Sequence, residues 1–466
     1  MAVCFLIVVN GVARLAGSVL HVGETGNYRP FSEYTILTAT GGFDGTTFDG
    51  ASSDFTFLDA LLGYSANAVT LRLERNDIAF ARVAATPNQR AVAGGLDSLS
   101  FGNALYDAVV TLDGPGARQA FEQLSGEVHA SAATALSGSG GNVRSVVSRR
   151  FQAGFAPPLA RTPGTPPGRR AATTFPLTAY ASYGSAAEQG AASGHGAWGE
   201  VFGSWGRTRA SDNGASLRHD DGGFLTGADG DLGEASSFGI FAGYSRSTFS
   251  AGDRASSGSS DNIHLGVHAG TRIGALRLNL GGVHSWHDIS TRRAVAFAGF
   301  TDSLHASYRG RTAQVFGEAG YRFGTEAFSF EPFAGAVHVR TSTNRFTETG
   351  GAAALTAQRT TTTTTFSTLG LRAFSEFEMG GVPARLRGMV GWRHAFGDTT
   401  PVTRVSFAGG NSFSVTGTPL ARDMTVVEAG LDLGMSEAAT LNLSYDGEFS
   451  RPTRRHGFNA RLQVAF

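Results

Sequence analysis

Lysine is absent from this sequence of 466 residues, cysteine occurs once, and charged residues make up only 16% of the chain. The single Cys4 cannot form an internal disulfide, which excludes a disulfide-stabilised scaffold. All 38 basic residues are arginines and they balance 38 acidic residues, so the formal net charge is zero. Nucleic-acid binding driven by a positive field is therefore excluded, and we expect no nucleic-acid partner.

Long hydrophobic runs are also missing. No apolar stretch reaches the roughly 18 residues that indicate a spanning helix. The apolar start at residues 1–9 could be the core of a signal peptide, but no arginine precedes it and no clean cleavage site follows. The favoured interpretation of this start is a buried strand, or a chain start that lies inside a longer gene. One class of membrane protein stays open, because a closed β-barrel crosses the bilayer without long apolar runs.

Residues 1–86 consist of short β-prone runs separated by Gly, Asn and Asp. The runs lie at 16–22, 35–40, 55–58 and 69–74, with turn signals such as Gly41-Gly42 between them. Short strands at close spacing predict a β-helix-like, solenoid region, and a small β-sandwich is the alternative.

Between residues 87 and 151 the hydrophobic period becomes helical. Pro115 suits the first turn of the best helix. The apolar stripe of that helix consists of Phe121, Leu124, Val128, Ala132 and Leu136. The sequence SGSGG at 137–141 is expected to end it, and a last short helix follows to Phe151. Residues 152–196 are rich in Pro, Ala and Gly without periodicity, which predicts a flexible linker.

From residue 197 to the end, apolar and polar residues alternate with a period of two, which predicts β-strands with two different faces. In the last strand Phe458 and Leu462 face one way, and Asn459 and Arg461 the other. About twelve such segments occur, at 197–208, 222–232, 237–250, 260–273, 276–290, 310–323, 327–341, 363–378, 383–396, 423–434, 439–450 and 456–466. This all-β pattern, an even number of long strands, is what a transmembrane β-barrel of a bacterial outer membrane requires.

Two further patterns favour the membrane barrel over a soluble two-sheet sandwich, whose apolar faces would be turned inward. Aromatic residues such as Trp205, Trp286 and Trp392 stand near the ends of the apolar faces, as in interfacial girdles. Short links lie near 233–236, 274–275, 324–326, 379–382, 435–438 and 451–455, and long polar links near 209–221, 251–259, 291–309, 342–362 and 397–422. Short turns alternating with long loops are typical of such barrels.

Several stretches resemble a known family. They are 88–93 (NQRAVA), 121–135 (FEQLSGEVHASAATA), 222–229 (GGFLTGAD), 238–244 (FGIFAGY), 314–323 (QVFGEAGYRF) and 331–333 (EPF). They are similar to the C-terminal translocator region of classical, type Va autotransporters, and the resemblance extends over about residues 85–466. It implies a monomeric twelve-stranded barrel in the outer membrane, a helix through its pore, and a passenger exported N-terminal to it. Residues 1–86 would then be the last part of a passenger, displayed at the cell surface.

The resemblance also implies partners. These are outer-membrane lipid, periplasmic chaperones and the barrel-assembly machinery, which reads the terminal strand. The residues expected to carry that assembly signal are Phe458, Leu462, Val464 and Phe466. No cofactor, metal or catalytic residue is expected.

Charged residues with the parity of the barrel interior are the candidate site. We expect Arg144, Arg149 and Arg150, on the last helix, to dock against the inner wall. The wall residues proposed for this role are Glu318, Arg322, Glu428, Asp432 and Glu448. The alternative is a plain wet pore wall without a docking role.

Two other functions remain open at this point. An outer-membrane esterase or protease anchored by the barrel would need a nucleophile and a base in residues 1–85, where His21 is the only histidine and no matching Ser motif occurs. A simple porin would need neither the helical block nor the linker. The motif His284-Ser285-Trp286-His287 is no metal site on a strand, because residues three apart point to opposite faces.

Overall fold

The structure is a computed structural model. It describes residues 6–23, 33–154 and 196–465, with gaps at 234, 326, 437 and 438. The predicted linker at 152–196 therefore lies almost wholly outside the described residues, and the predicted assembly residue Phe466 lies outside them. The helices are α1 (Pro87–Asp97), α2 (Ala104–Val110), α3 (Gly114–Leu124) and α4 (Glu127–Gly154). None of the helices in the described ranges is long and apolar enough to cross a membrane.

Twenty-three strands lie in the described residues. The first six are β1 (Ile7–Val9), β2 (Ser18–His21), β3 (Glu33–Ala39), β4 (Gly50–Ser53), β5 (Leu58–Tyr64) and β6 (Ala68–Arg75). The next eight are β7 (Gly196–Thr208), β8 (Leu217–Asp231), β9 (Ser236–Ala251), β10 (Ser256–Ile273), β11 (Leu276–Phe297), β12 (Phe300–Tyr321), β13 (Phe323–Gly324) and β14 (Phe328–Thr343). The last nine are β15 (Phe346–Thr347), β16 (Leu355–Ala357), β17 (Thr360–Met379), β18 (Val382–Gly397), β19 (Val402–Phe407), β20 (Phe413–Thr416), β21 (Asp423–Gly434), β22 (Ala439–Phe449) and β23 (Thr453–Ala465).

The N-terminal unit stacks strands from successive stretches of chain. β1 pairs parallel with β3, in the register Ile7 to Leu37, and β2 pairs parallel with β4, in the register Ser18 to Gly50. Two parallel pairs in the same chain order have the connectivity of turns in a solenoid. The antiparallel hairpin β5–β6 then adds to β3 and ends the stack.

The helices α1 to α3 begin at side-chain caps. Thr86 and Gln89 form a reciprocal capping box at α1, with Pro87 in the first turn. Asp113 accepts a hydrogen bond from the Gly116 amide at the start of α3. These helices pack on β5 and β6 through one large apolar core, which also reaches the ends of several barrel strands.

The helix boundaries differ from the predicted ones. The stripe predicted as one helix is divided at Ser125-Gly126, where Gly126 has a φ of 62°, a conformation that glycine adopts without strain. The SGSGG segment at 137–141 lies inside α4 instead of ending it. The enclosing barrel explains the second difference, because tertiary packing overrides weak helix propensity. A methyl group on Gly140 would lie 2.4 Å from the side chain of Gln314 on the barrel wall.

Twelve long antiparallel strands form a closed barrel in the described part of the chain, which confirms the predicted fold class. The order is β7, β8, β9, β10, β11, β12, β14, β17, β18, β21, β22 and β23. β23 then pairs with β7 over the register Thr453 to Thr208 through Ala465 to Gly196. Closure leaves the barrel without a free sheet edge. β13 only extends the turn after β12.

The two ends of the barrel differ. At one, the turn end, the connections at 232–235, 274–275, 380–381 and 435–438 are short, and the chain enters and leaves the barrel there. At the other, the loop end, residues 344–359 and 398–422 supply a small sheet of β15, β16, β19 and β20. The short link at 450–452 also lies at the loop end, because it follows β22.

Two of the links predicted to be long are in fact strands. β11 and β12 continue past the expected limits and join through Ala298-Gly299, so the predicted loop at 291–309 is a projecting hairpin. The link predicted at 251–259 shrinks to 252–255 in the same way. Apolar and polar residues continue to alternate in the hairpin. Its inward-facing Val295 and Leu304 join the apolar core of the helices.

The outer surface of the barrel is apolar and the lumen is polar. The outward side chains at mid-height include Ile240, Ile263, Leu265, Leu280, Val315, Leu369, Leu386 and Leu443, all more than 40% exposed. On β11 the belt runs from Leu276 to Trp286, and ten residues of a strand tilted by about 40° rise about 25 Å, the height of a barrel's apolar band. The outward faces of the barrel strands are therefore suited to contact with lipid.

Candidate functional site

The helix α4 lies inside the barrel, with its start at the loop end and its last turn at the turn end. The carboxylate of Glu127 accepts a hydrogen bond from the Ala215 amide in the first loop, at 2.6 Å. At the other end Arg150 donates to Gln463, close to the end of β23. Between these points Val143, Val146 and Val147 pack into an apolar cluster on the wall. The wall side of that cluster consists of Trp198, Phe202, Leu225, Phe241, Val283 and Phe316.

Asn142 is the central polar contact between α4 and the wall. Its side-chain amide donates to Ser204 Oγ at 2.8 Å and to Asp221 Oδ2 at 2.7 Å. Its carbonyl oxygen accepts a hydrogen bond from Arg455. One buried amide thus joins the helix to β7, β8 and β23. Asn142 was not among the predicted docking residues, although a polar side chain beside Gly140 and Gly141 is a signal visible in the sequence.

Arg149 forms the most buried charged contact of the helix. Its Nη2 lies 2.7 Å from Glu200 Oε1, and its Nη1 lies 3.7 Å from Asp446. Arg149 and Glu200 are each 1% exposed. Arg150, one residue on, pairs with Asp229. Both acids lie near the turn end, so the last turn of α4 is fixed there by two ion pairs.

The structure brings the predicted arginines to the wall but gives them other partners. Arg144 Nη1 donates to the neutral Gln314 at 2.8 Å. None of the three arginines forms an ion pair with Glu318, Glu428, Asp432 or Glu448 in the described contacts. The partner prediction was wrong for Glu428, Asp432 and Glu448 because they lie on β21 and β22, whereas α4 packs mainly on β7 to β12 and β14. Glu318 lies on the contacted β12 but is held by Arg277 and Arg372.

The four predicted acids pair within the wall instead. Glu318 contacts Arg277 at 3.1 Å and Arg372 at 2.6 Å. Glu448 contacts Arg393 at 2.6 Å and Arg455 at 3.0 Å. Arg277 and Arg455 lie on strands next to those of their acids, where diagonal side chains are within reach of each other. Arg372 and Arg393 lie two strands away from their acids and reach them across the intervening strand.

The remaining predicted wall residues also have their partners within the wall. Glu428 and Asp432 both approach Arg387, at 3.5 and 3.3 Å. Arg322 donates to Ser329 at 3.1 Å and lies over the ring of Phe374. The wall therefore forms its own charge network around the helix.

A second buried charge cluster, which we call the latch, lies at the loop end and consists of His129, Arg293 and Glu348. Arg293 Nη2 lies 2.6 Å from Glu348 Oε2, and His129 Nε2 lies 2.8 Å from Glu348 Oε1. Arg293 also donates to the Gln123 carbonyl at 2.9 Å. The latch thus connects α3 and α4 to β11 and to the loop between β14 and β17. None of its three residues was predicted from the sequence.

The latch holds Glu348 in its charged form. Burial acts to raise the pKa of Glu348, but Arg293 and His129 outweigh burial and bring that pKa well below its usual range. The phenol of Tyr308 stacks beside the latch on Phe346, and burial together with Glu348 raises the pKa of Tyr308. By contrast, burial raises the pKa of Glu127, although Ala215 and Arg254 partly offset it.

We expect acid to open the latch. The pKa of Glu348 is lower in the folded chain than in the unfolded one, so its stabilisation is present above about pH 4.3 and is lost as pH falls below that value. The opening free energy of the amides in β15 and β16, from hydrogen exchange corrected for intrinsic rates, should fall by up to about 3 kcal/mol. Glu348→Gln should give this loss at neutral pH and remove most of the acid dependence. An unchanged pH profile in that variant would contradict the assignment to Glu348.

The only histidine of the N-terminal unit is not part of a catalytic triad. His21 Nδ1 lies 3.1 Å from Ser53 Oγ and 4.0 Å from Asp54 Oδ1. A triad needs the serine and the carboxylate at opposite ring nitrogens, but here both approach the same nitrogen. Burial, only partly offset by Asp54, lowers the pKa of His21.

The predicted assembly residues lie on the outer face of β23 where they are described. Phe458 is 55% exposed and Leu462 52%. Phe458 stacks on Trp205 of the neighbouring β7, with ring centroids 5.7 Å apart. The backbone of Val464 pairs with Ala197, and Phe466 lies outside the described residues.

Comparison with known proteins identifies the barrel. The autotransporter beta-domain model matches residues 197–446. Two extracellular serine proteases of Serratia marcescens are 30% and 28% identical to this chain, over 93% of this chain and 43% of each relative. The chain therefore spans less than half the length of these relatives.

Solved structures of similar fold include two translocator domains. The translocator domain of the autotransporter NalP from Neisseria meningitidis matches with 16% identity and a TM-score of 0.48, over 59% of this chain and 89% of that one. The beta domain of the Bordetella autotransporter BrkA matches with 20% identity and a TM-score of 0.46, over 59% of this chain and all of that one. With the family match covering more than half of the sequence, the chain belongs to the autotransporter β-domain family.

Proposed function

We propose that this chain is an outer-membrane translocator and anchor that displays its own N-terminal segment at the cell surface. The observation that carries the proposal is the course of α4. This helix connects the N-terminal unit and helices α1 to α3, all at the loop end, with the turn end of the barrel. A chain segment through the pore is what remains when the upstream part has passed outward.

The barrel lies in the outer membrane, as for other members of its family, with its apolar belt against lipid. Its closure means that a single copy leaves no open strand edge, which fits a monomer. We further propose that periplasmic chaperones and the barrel-assembly machinery handle the chain before insertion. The support is indirect: exposed apolar alternating strands must be kept from aggregating before they reach lipid.

The arginines of α4 are proposed to dock the finished helix. Arg149 and Arg150 pair with Glu200 and Asp229 in the lumen, and Asn142 adds a neutral contact. Arg322, Glu318, Glu428, Asp432 and Glu448 are proposed to act indirectly, by shaping the charged wall that faces the helix.

We propose no catalytic role for the described residues. The relatives from Serratia are named proteases, but more than half of their length has no counterpart in this chain. A protease function would need a triad, and the arrangement around His21 does not provide one. An assay with a generic peptide substrate should give the same rate for the wild-type chain and for His21→Ala.

Surface display can be tested with a tag at two places. A tag inserted at Ala66, in the exposed turn between β5 and β6, should be labelled by antibody on intact cells. The same tag at Gly380-Gly381, in a turn at the opposite end, should be labelled only after the outer membrane is permeabilised. Both chains should fractionate with outer membranes and migrate heat-modifiably on gels. The reverse labelling, or recovery as a soluble monomer without detergent, would exclude the proposal.

We expect Phe466 to affect the assembly of the barrel more strongly than its hydrophobicity alone would. We expect Phe466→Ser to lower the yield of folded barrel far more than Phe449→Ser does. The reason is that an aromatic end closes an otherwise regular alternating strand, and assembly factors are proposed to read that strand. The measurement is the heat-modifiable fraction in isolated outer membranes. Equal losses would make Phe466 an ordinary lipid-facing residue.

A further inference from the structure

One buried arginine in the lumen has no carboxylate partner among the residues that the structure describes. Ten arginines are buried in the described part of the chain, and nine of them lie within 4.0 Å of a carboxylate oxygen. The tenth is Arg144, which is 8% exposed and whose described partner is the neutral Gln314. A buried charge without a compensating charge is costly, so an arginine in this position calls for a counter-charge.

The space for a counter-charge lies next to Arg144. A cavity of about 90 Å³ separates α4 from the wall formed by β11, β12, β14, β17, β18 and β21. Its lining includes Arg144, Arg372 and Arg393 and the hydroxyl-bearing Ser145 and Ser148 of the helix. A single water molecule needs about 10–15 Å³, so the cavity has room for a small ion with some water.

The acids around this cavity are engaged elsewhere. Glu318 lines it but is held by Arg372 at 2.6 Å, and Glu428 lines it but lies 3.5 Å from Arg387. Arg393, the third cation of the lining, already has Glu448 at 2.6 Å. The lining thus contains three arginines and two carboxylates, and Arg144 is the lining arginine without a carboxylate oxygen within 4.0 Å among the described contacts.

We propose that this cavity binds a small monovalent inorganic anion, of the size and charge of chloride, with Arg144 as its principal ligand. Guanidinium and hydroxyl groups are hydrogen-bond donors without a requirement for a particular anion geometry. A polyatomic dianion would bring one negative charge too many for one unpaired arginine. The site exists only while α4 fills the barrel, so the anion stabilises the helix in its docked position. The proposal rests on the position of α4 and not on export.

Halide binding can be observed directly. Crystals of the full chain in detergent, grown with sodium bromide in place of chloride, should show an anomalous bromide peak in contact with the Arg144 guanidinium. Arg144→Gln crystals should lack that peak. A wild-type map without it at saturating bromide would overturn the proposal, and so would a peak of equal height in Arg144→Gln. If the variant fails to fold, the wild-type map alone decides whether the proposal holds.

A solution experiment tests the consequence for the helix. At constant sodium and ionic strength, the Tm of the wild-type chain in detergent should rise when gluconate, too large for the cavity, is replaced by chloride. The shift should be lost in Arg144→Gln. Arg246→Gln, which removes the same charge from an exposed pair with Asp261, is the matched control and should keep the shift. Equal shifts in all three chains would assign the effect to general salt action and contradict the site.

Discussion

A barrel without its internal helix should conduct ions far better than the complete chain. We expect a chain that starts at Gly196 to show a single-channel conductance in planar bilayers on the order of tenfold higher than the complete protein. The physical reason is that an α-helix with side chains is about 10–12 Å wide, so α4 removes most of the open cross-section of the lumen. Wall contacts along α4, from Glu127 to Arg150, leave only a narrow path beside it.

The comparison needs a folded barrel in both samples. Heat-modifiable migration should be the same for the two chains, because all twelve strands and their closure remain in the shorter one. A third chain that starts at residue 155 would show whether the linker alone blocks the pore. Equal conductance of the complete protein and the chain from Gly196 would place α4 outside the lumen in the membrane.

The second large effect concerns Arg149. Arg149→Gln should lower the opening free energy of the last turns of α4 by about 3–5 kcal/mol, because it leaves Glu200 buried with only the more distant Arg461, at 3.7 Å. The measurement is hydrogen exchange of the α4 amides in detergent. The apolar contacts of Val143, Val146 and Val147 should keep the helix inside the barrel. The half of α4 towards the loop end should therefore lose less protection against hydrogen exchange.

The partner assignment is tested by a double-mutant cycle. Glu200→Gln should also weaken the helix, and the double variant should lose clearly less than the sum of the two single losses. Arg246→Gln, at an exposed ion pair 3.1 Å long, should change the same amides by no more than about 1 kcal/mol. Additive losses at Arg149 and Glu200 would show that the two residues act independently.

The barrel was predictable from the sequence because its signal is repeated and local. Each strand alternates on its own, as Phe458 to Leu462 illustrates, so twelve segments could be found without knowledge of their neighbours. The hairpin of β11 and β12 was shortened in the prediction because its polar Gly, Ser and Thr residues were taken as loop residues. The alternation of apolar and polar residues around Val295 and Leu304 indicated a strand. The apolar residues that cover these two side chains lie in helices far away in the sequence.

The site was less predictable because its contacts depend on which strands the helix touches. Parity placed Glu318, Glu428 and Glu448 in the lumen, but parity does not give the angular position of α4 within the barrel. Glycines at 137–141 indicate a helix end in water, whereas inside the barrel they allow close approach to Gln314. The latch joins Glu348 to His129, 219 positions away, and to Arg293, 55 positions away, so no local sequence pattern predicts it.

The shared apolar core at the loop end has a mechanical consequence. Leu58 and Leu73 of the displayed unit belong to the same core as Ile289 and Leu304 of the barrel wall. A pulling force on the displayed segment, as from flow or a bound surface, therefore reaches the projecting hairpin through this core before it loads α4 along its axis. Shear across a broad core distributes load over many contacts, while axial tension on one helix would concentrate it at Asn142 and Arg149. The apolar core at the loop end therefore holds the displayed segment to the barrel wall, and α4 carries less of the load.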